Sequence, residues 1–583
     1  MWNDFTRPIR DYLPLWLVVV PLVGIVVVWL SQRFGNAAVR RVVFTNVVMS
    51  LVLCVWMVAA YEPLKPAATI EQASYLGPIQ RFQFRSSFGW IGESRITTLE
   101  QTRSDGQRRI VELPARWGPD IRFELGVDGI SLWFITLSAL LVAVAMSADG
   151  GQQLNGTGFV SGTALAAGFS FEIDGTTPVA SAIPLKVRSI GQRPLSGHGA
   201  VAWLWLEASL IGTFAALDVV LFAVCWMSAL LAVTWLLGHG GDAERHEVTP
   251  RLWKSAAMGS WCVTLGLCGL VLAFGWLRET PNRPQPPLIF SVPELVAGIG
   301  HWTVAGDSLF LWTYVSPWLF WLLVVGFTGP LLLAPFHRGF VAALASAPPS
   351  VAVVLAGVLI KVGLYGWLRF VLPVFPDLLR QHVDGLAIMA GLSSLLAAAL
   401  AFGQTDWRRR AALATSSSLS LSLLAMMTVT LEGLTASLLR VLSHGLTAGL
   451  LLWLLPRSDS ARSISTQLEN AHSRRRRSTF RVALFAWIGL PGLSGFVAEV
   501  VSPLGLMQHE FNAALLSLTT SGLIAWMWVR ADREQPIWST APWLPREWIV
   551  IGTLIALNVA LGVAPQFVIS RLQPSLIALL PTS

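Results

Sequence analysis

Long, almost uninterrupted apolar stretches of about twenty residues recur along nearly the whole 583-residue chain, and this pattern constrains the fold more than any single motif. A bilayer core of about 30 Å is crossed by roughly twenty apolar residues as helix, since only a helix or a closed barrel satisfies its own backbone in lipid. The stretches read as helical spans at roughly 12–31, 42–61, 129–147, 200–215, 217–237, 255–276, 308–335, 341–372, 386–402, 411–430, 434–455, 479–506, 511–530 and 546–566. The chain is therefore expected to be an all-α polytopic membrane protein with about fourteen transmembrane helices. Its 54% hydrophobic and 13% charged residues exclude a soluble multidomain enzyme. The first span follows residues carrying both acids and arginines, lacks a small-residue cleavage site, and reads as a retained helix.

Charge in the connecting segments sets the orientation. Arg33, Arg40 and Arg41, then Arg245, Arg251 and Lys254, then Arg408–Arg410, then Arg474–Arg477 fall in alternate loops, while those near Ala216, Glu432 and Gln508 carry no Lys or Arg. Basic residues accumulate on the cytoplasmic side. A multi-pass protein of a bacterial inner membrane with both termini outside the cytoplasm is the self-consistent expectation. The net charge of +8 is spread through these clusters, so nucleic-acid binding is a poor reading. Cys54, Cys225, Cys262 and Cys268 lie in apolar stretches without a CxxC pair, so neither a disulfide framework nor a metal or iron–sulfur site is indicated.

Two polar segments interrupt the array, 62–127 and 149–199, and are read as extramembranous insertions on opposite faces. Gly156-Thr157-Gly158 with Gly162 is not a phosphate loop, because the spacing is wrong and no helix-forming run follows. The division expected is 1–61 for the N-terminal helices, 62–127, a third helix at 128–148, 149–199, two halves at 200–372 and 373–530, and a last helix with tail at 531–583.

In a membrane, charge is what needs explaining, an ionisable group at the bilayer centre costing at least about 2.5–3.5 kcal/mol on insertion scales. Glu207, Lys361, Arg440, His444 and Glu499 lie well inside spans, with Asp218 and His337 nearer their ends. Lys361 has about ten apolar residues before it, too deep for a snorkelling lysine, and a desolvated amine releases its proton more readily than one in water. His444 shares a helical face with Arg440, and a packing role for it is equally open. Glu499 follows Leu490-Pro491-Gly492-Leu-Ser494-Gly495, which should break the twelfth helix; Gly326, Gly329, Pro330 and Pro335-Phe336-His337 interrupt the seventh in the same way. Broken helices expose backbone that is tolerated only along a polar cavity. One in each half suggests an internal repeat around a polar route.

Several motifs in order carry a resemblance: Leu125-Gly-Val-Asp128-Gly-Ile-Ser131-Leu-Trp-Phe134, Pro335-Phe-His337, Leu355-Ala-Gly-Val-Leu-Ile-Lys361-Val-Gly-Leu-Tyr-Gly366, Gln404-Thr-Asp406, Leu442-Ser-His444-Gly-Leu, and Leu490-Pro-Gly-Leu-Ser-Gly-Phe-Val-Ala-Glu499. Together they resemble the proton-translocating antiporter-like subunits, chain M of the respiratory complex I NADH:quinone oxidoreductase nearest among them, over about 125–505. The resemblance implies a fourteen-helix fold with two inverted five-helix repeats and broken helices seven and twelve. It also implies roles: Lys361 as the central lysine, His444 linking two half-channels, Glu499 as the acid of the exit side, and His337 after the seventh helix. This chain would hold no cofactor; NADH, flavin, iron–sulfur clusters and (ubi)quinone would belong to partner subunits, and its partners would be other membrane subunits. No redox active site falls in this chain.

Departures are as informative. The fifth-helix glutamate of the relatives falls on Met227, the seventh-helix lysine on Pro330, later acid and histidine positions on Ala342, Leu344 and Ser346, and a tenth-helix histidine on Ser418. The input half is depleted and the output half intact. Glu207 lies at about the depth of Met227 if the fourth and fifth helices turn near Ala216, and it is either a substitute acid or an interfacial ion-pair partner. Asp218 matches a family position at the helix turn, where capping is the simpler role. Two other readings stand beside a complex I-like proton subunit: a large chain of a multi-subunit cation/proton antiporter, and a scaffold that no longer conducts.

Overall fold

The protein was analysed as a computed structural model that describes residues 10–63, 82–91, 95–102, 108–115, 121–149, 197–239, 243–277, 288–296, 307–331, 333, 337–455, 471–507, 511–534 and 543–580. The expected insertion at 149–199 lies almost wholly outside the described residues. Helices form where the apolar runs are: α1 Leu13–Ser31, α2 Asn36–Ala60, α3 Gly129–Asp149, α4 Gly197–Ala215, α5 Val219–Gly238, α6 Ala243–Leu277, α7 Asp307–Thr328, α8 His337–Ser346, α9 Pro349–Gly357, α10 Val362–Gly366, α11 Pro376–Phe402, α12 Trp407–Met426, α13 Leu431–Leu454, α14 Ala471–Ile488, α15 Ser494–Met507, α16 Phe511–Glu534, α17 Pro545–Val563 and α18 Gln566–Ile577. Ten spans among the described residues are long and apolar enough to cross a membrane, with Trp312–Thr328 and Ser494–Met507 as shorter apolar helices.

The chain is mostly helical rather than all-α. The polar segment at 62–127, expected only as an insertion, contains strands β1 Gln83–Ile91, β2 Arg95–Thr102, β3 Arg108–Ala115 and β4 Ile121–Val127, with β1 antiparallel to β4 and β2 antiparallel to β3. Their alternating polar and apolar residues, as in Ile121-Arg-Phe-Glu-Leu-Gly-Val127, are a strand signal that the search for long apolar spans does not register. Leu217 N donates to Glu124 O (2.9 Å) and Val292 N to Leu217 O (2.7 Å), so the two helix-connecting segments at 216–218 and 290–292 extend this sheet across one end of the bundle. Tyr12 stacks on Phe88 (6.3 Å between ring centres), placing the start of α1 at the same end. The tail expected after the last long span contains α18, which docks there too, the Gly129 amide donating to Ser575 Oγ (2.9 Å).

The spans are not equally enclosed. Pro349–Val374 is buried throughout its apolar window and Leu431–Leu454 nearly so, whereas Leu13–Phe34, Asn36–Ala60, Phe511–Glu534 and Pro545–Val563 are mostly uncovered. Apolar side chains such as Trp29, Phe44, Trp318, Trp526 and Ile549 face outward. In lipid these need no further explanation, because acyl chains are as apolar as they are.

Candidate functional site

Three interruptions of helical backbone organise the interior. Ile488 to Ser494 separates α14 from α15; Gly489 and Gly492 adopt φ +85° and +87°, a region closed to most L-residues, and Pro491 between them cannot donate to a helix. The helical run after α7 ends at Thr328, and α8 starts only at His337. The third interruption was not expected. Between α9 and α10 the chain tightens into a 3-10 turn at Leu359–Lys361, and a π-helical turn follows at Trp367–Val371. With the ladder broken, the carbonyls of Ala356 and Gly357 lose their ordinary donors, and Lys361 turns back to them: its Nζ donates to Ala356 O (3.1 Å) and to Gly357 O. The ammonium is thus held by backbone dipoles at the centre of a fully buried span.

Lys361 faces α13. A Cβ placed on Gly445 would stand 3.0 Å from Nζ, so glycine at 445 is what lets the lysine reach this helix. His444, next in the chain, is buried among Lys361, Arg440 and Trp487, its ring edge-on to the indole at 4.9 Å. Neither His444 nitrogen has a hydrogen-bond partner among the described residues. One turn before it Arg440, itself buried, clasps Glu499 through both guanidinium NH groups, NH2 at 3.2 Å, and Ser521 Oγ donates to the same carboxylate at 2.7 Å. Glu499 packs against the break, since a Cβ on Gly489 would lie 2.9 Å from its Cγ. A cavity of about 20 Å³, lined by Ser417, Ser418, Arg440, Trp487, Glu499 and Ser521 among others, has room for about one water. Lys361, His444, Arg440 and Glu499 therefore form one continuous buried row over three spans.

The other predicted residues do not join it. Glu207 is fully buried on α4, but Trp205 and Ser209 are the α4 residues that meet α5, through Ser228 (2.5 and 3.0 Å). Two residues along, Glu207 points the other way and faces Ser50 and Cys54 of α2. Met227 instead lines an apolar groove with Leu231, Trp261 and Thr264. The depth match between Glu207 and Met227 is thus not a positional one, because depth ignores the direction in which a helical side chain leaves its axis. Asp218 is a helix cap: it accepts from the amides of Val220 (2.8 Å) and Leu221 (3.1 Å), and from Arg122 in β4 (3.2 Å). Burial pushes its carboxyl up to about 6 against these amides. His337 opens α8, half-buried, with Nδ1 unpartnered among the described residues.

Sequence reasoning missed two ion pairs. Asp128 caps α3 through Ile130 and Ser131 and also receives both terminal nitrogens of Arg369 (2.8 and 2.6 Å), which lies in the π turn; Arg369 Nε donates to Tyr365 Oη (3.0 Å), and Tyr365 donates to Phe214 O (2.8 Å). A mid-span arginine opposite an Asp-Gly cap was the available signal. On the sheet, Glu124 pairs with Arg85 (2.5 Å); burial raises its carboxyl, with Arg85 opposing.

Residues 304–525 match the family described as NADH:quinone oxidoreductase/Mrp antiporter, TM, and this stretch holds Lys361, His444 and Glu499. Over this stretch the chain is similar to the membrane domain of that family. It is 27% identical over 469 residues to NADH-quinone oxidoreductase subunit M of Mycobacterium tuberculosis, covering 78% of this chain and 80% of the relative, and 23% identical over 578 residues to the subunit M of Pseudomonas aeruginosa, covering 94% of each. In fold it is similar to a chain of respiratory complex I from Thermus thermophilus (TM-score 0.66, 18% identity, 97% of this chain and all of that one) and to a chain of the Mrp complex from Dietzia (TM-score 0.65, 14% identity, 96% of this chain and 52% of that one). The matched stretch ends within α16, and the row lies inside it.

Proposed function

We propose that this chain is a proton-translocating membrane subunit of a complex I-like NADH:quinone oxidoreductase, assembled with other membrane subunits and driven by electron transfer that takes place in its partners. The observation that carries the reading is the buried row Lys361, His444, Arg440 and Glu499: no lipid-facing scaffold gains from a lysine held on main-chain carbonyls at the bilayer centre, where charge costs about 2.5–3.5 kcal/mol or more. Lys361 is the central carrier, His444 the link, and Glu499 the acid of the exit side. Arg440 holds Glu499 in place and must loosen its grip for the carboxylate to take a proton. His337 and Asp218 are ancillary, Asp218 through its cap.

The same reading supplies the finer architecture: fourteen crossings, two inverted five-helix repeats, halves at 200–372 and 373–530, insertions on opposite faces, and both termini outside the cytoplasm of a bacterial inner membrane. NADH, flavin, iron–sulfur clusters and quinone belong to partner subunits. A large antiporter chain is the second reading; this chain spans only about half of the Mrp chain it resembles and all of the complex I chain, which favours the first.

Proton pumping by inverted vesicles from a host whose own subunit is replaced by this chain tests the proposal. Lys361→Ala is expected to abolish pumping and slow quinone reduction with it. Undiminished pumping in Lys361→Ala, at equal abundance of the assembled complex, would make the chain a passive scaffold.

A further inference from the structure

Met227 and Pro330 remove the usual protonatable groups from the first half, so a working row needs protons from elsewhere. Among the described residues the mid-membrane polar atoms left without a hydrogen bond include a compact set at the junction of α1, α2 and α4: Asn46 Oδ1, Ser50 Oγ and both carboxylate oxygens of Glu207. Asn46, Ser50 and Cys54 recur every fourth residue on one stripe of α2, about 6 Å apart along the axis. Asn46 Nδ2 donates to Val20 O of α1 (2.8 Å), and the Ser50 hydroxyl lies beside the Glu207 carboxylate at longer than ordinary hydrogen-bond distance. Gly24 makes the junction close: a Cβ there would run into Asn46 and stand 3.1 Å from Leu204, one turn before Glu207. Buried polar groups are rarely left without a partner, and a clustered set of them is the signature of a site that holds water.

A mostly apolar cavity of about 220 Å³ lies at the end of α2 that carries Arg40 and Arg41, lined by Val43, Phe44 and Val47 of α2, Met146 and Ser147 of α3 and Arg546 of α17; it opens between α2 and α3, one residue round α2 from the Asn46 stripe. On its other side α4 meets the residues that follow Lys361, the Tyr365 hydroxyl donating to Phe214 O two turns along α4 from Glu207. Resting on the proton-subunit reading above, we propose that protons enter this chain from its basic face along Asn46 and Ser50 to Glu207, through the N-terminal helices rather than the α5–α7 face. A proton taken up from bulk water at the basic face is relayed along water in the file, each water regaining the proton it gives up, to the Glu207 carboxylate, which then releases it across α4 toward Lys361 and is ready for the next. Asn46 and Ser50 position the water and do not themselves change charge.

Two experiments on the full chain in its complex test this. In vesicles, Glu207→Gln, and the apolar replacements Asn46→Leu and Ser50→Val, are expected to lower pumping by about tenfold or more, a positioned proton-transfer group being worth about 10²–10⁴ in rate. In a chain whose four native cysteines are replaced, Ser50→Cys is expected to react with silver ion added at the basic face, and adding Asn46→Leu to slow that reaction. Loss of pumping in Lys361→Ala beside normal pumping in Glu207→Gln and Ser50→Val would overturn the route and leave the function standing. Normal pumping in Lys361→Ala would remove both. A Ser50→Cys thiol inert to silver in an assembled complex would show a dry stripe and overturn the route whatever the pumping.

Discussion

Two regions of the bundle, the row at Lys361 and the surroundings of Glu207, treat buried charge in different ways. Around Lys361, His444, Arg440 and Glu499 each charged group has a neighbour: carbonyls for the lysine, a bidentate arginine and a serine for the glutamate. Elsewhere neither Glu207 carboxylate oxygen has a hydrogen bond among the described residues, Met227 faces an apolar groove, and Pro330 is buried in the turn that follows α7. The contrast teaches that burial alone does not define a charged site; what the buried group is bonded to does. A bonded row keeps its charges in place by electrostatics and passes protons by rearranging bonds, whereas an unbonded acid depends on water to be charged at all.

The largest effect that would sharpen this contrast comes from Arg440. Deleting one partner of a buried ion pair typically costs about 3–5 kcal/mol, because the other is stranded. Arg440→Gln should therefore lower the thermal midpoint of the extracted complex, with the loss near the lower end of that range since the Glu499 side chain is 23% exposed. Arg440→Gln with Glu499→Gln should recover much of that loss while leaving pumping abolished. Strictly additive losses in the double variant would mean that the pair is not coupled, and that the row is no more organised than the surroundings of Glu207.

What the sequence disclosed follows the same line. Apolar length and a charge out of place are visible residue by residue, so the spans, the depth of Lys361 and the Pro-Gly break before Glu499 could be read directly. Side-chain direction between helices could not: Glu207 and Met227 agree in depth and differ in the face they occupy. The break at Leu359–Lys361 lay hidden because Val358-Leu-Ile360 is unremarkable helix sequence, and only the packing of Lys361 back on its own carbonyls selects it. The strands of 83–127 escaped because they are half-polar, and the Asp128–Arg369 pair because 241 residues separate its members. Asp218 was legible as a cap for the opposite reason, its partners being two and three residues away.

A moderate effect would come from trying to restore the missing acid. Met227→Glu puts a carboxylate into a groove lined by Leu231, Trp261 and Thr264, at an insertion cost of about 2.5–3.5 kcal/mol. Less assembled complex and no gain in pumping per complex are expected, as judged by vesicle assays normalised to subunit abundance. A rise in pumping per complex would break the comparison, because the first half would then be an impaired copy of the usual channel, not a differently built one.

The smallest effect belongs to His337. It opens α8 half-buried beside Arg338, outside the row, with neither Lys361 nor Glu499 among the groups that act on it. Burial and Arg338 both push its imidazole below the usual range, which favours its neutral form. His337→Ala should leave pumping within about twofold and the pH profile of pumping unmoved, surface-side substitutions of this kind costing about 0.5 kcal/mol or less. A displaced pH profile in that variant would instead tie α8 to proton entry, and the first half would then have two routes in place of the one through Glu207.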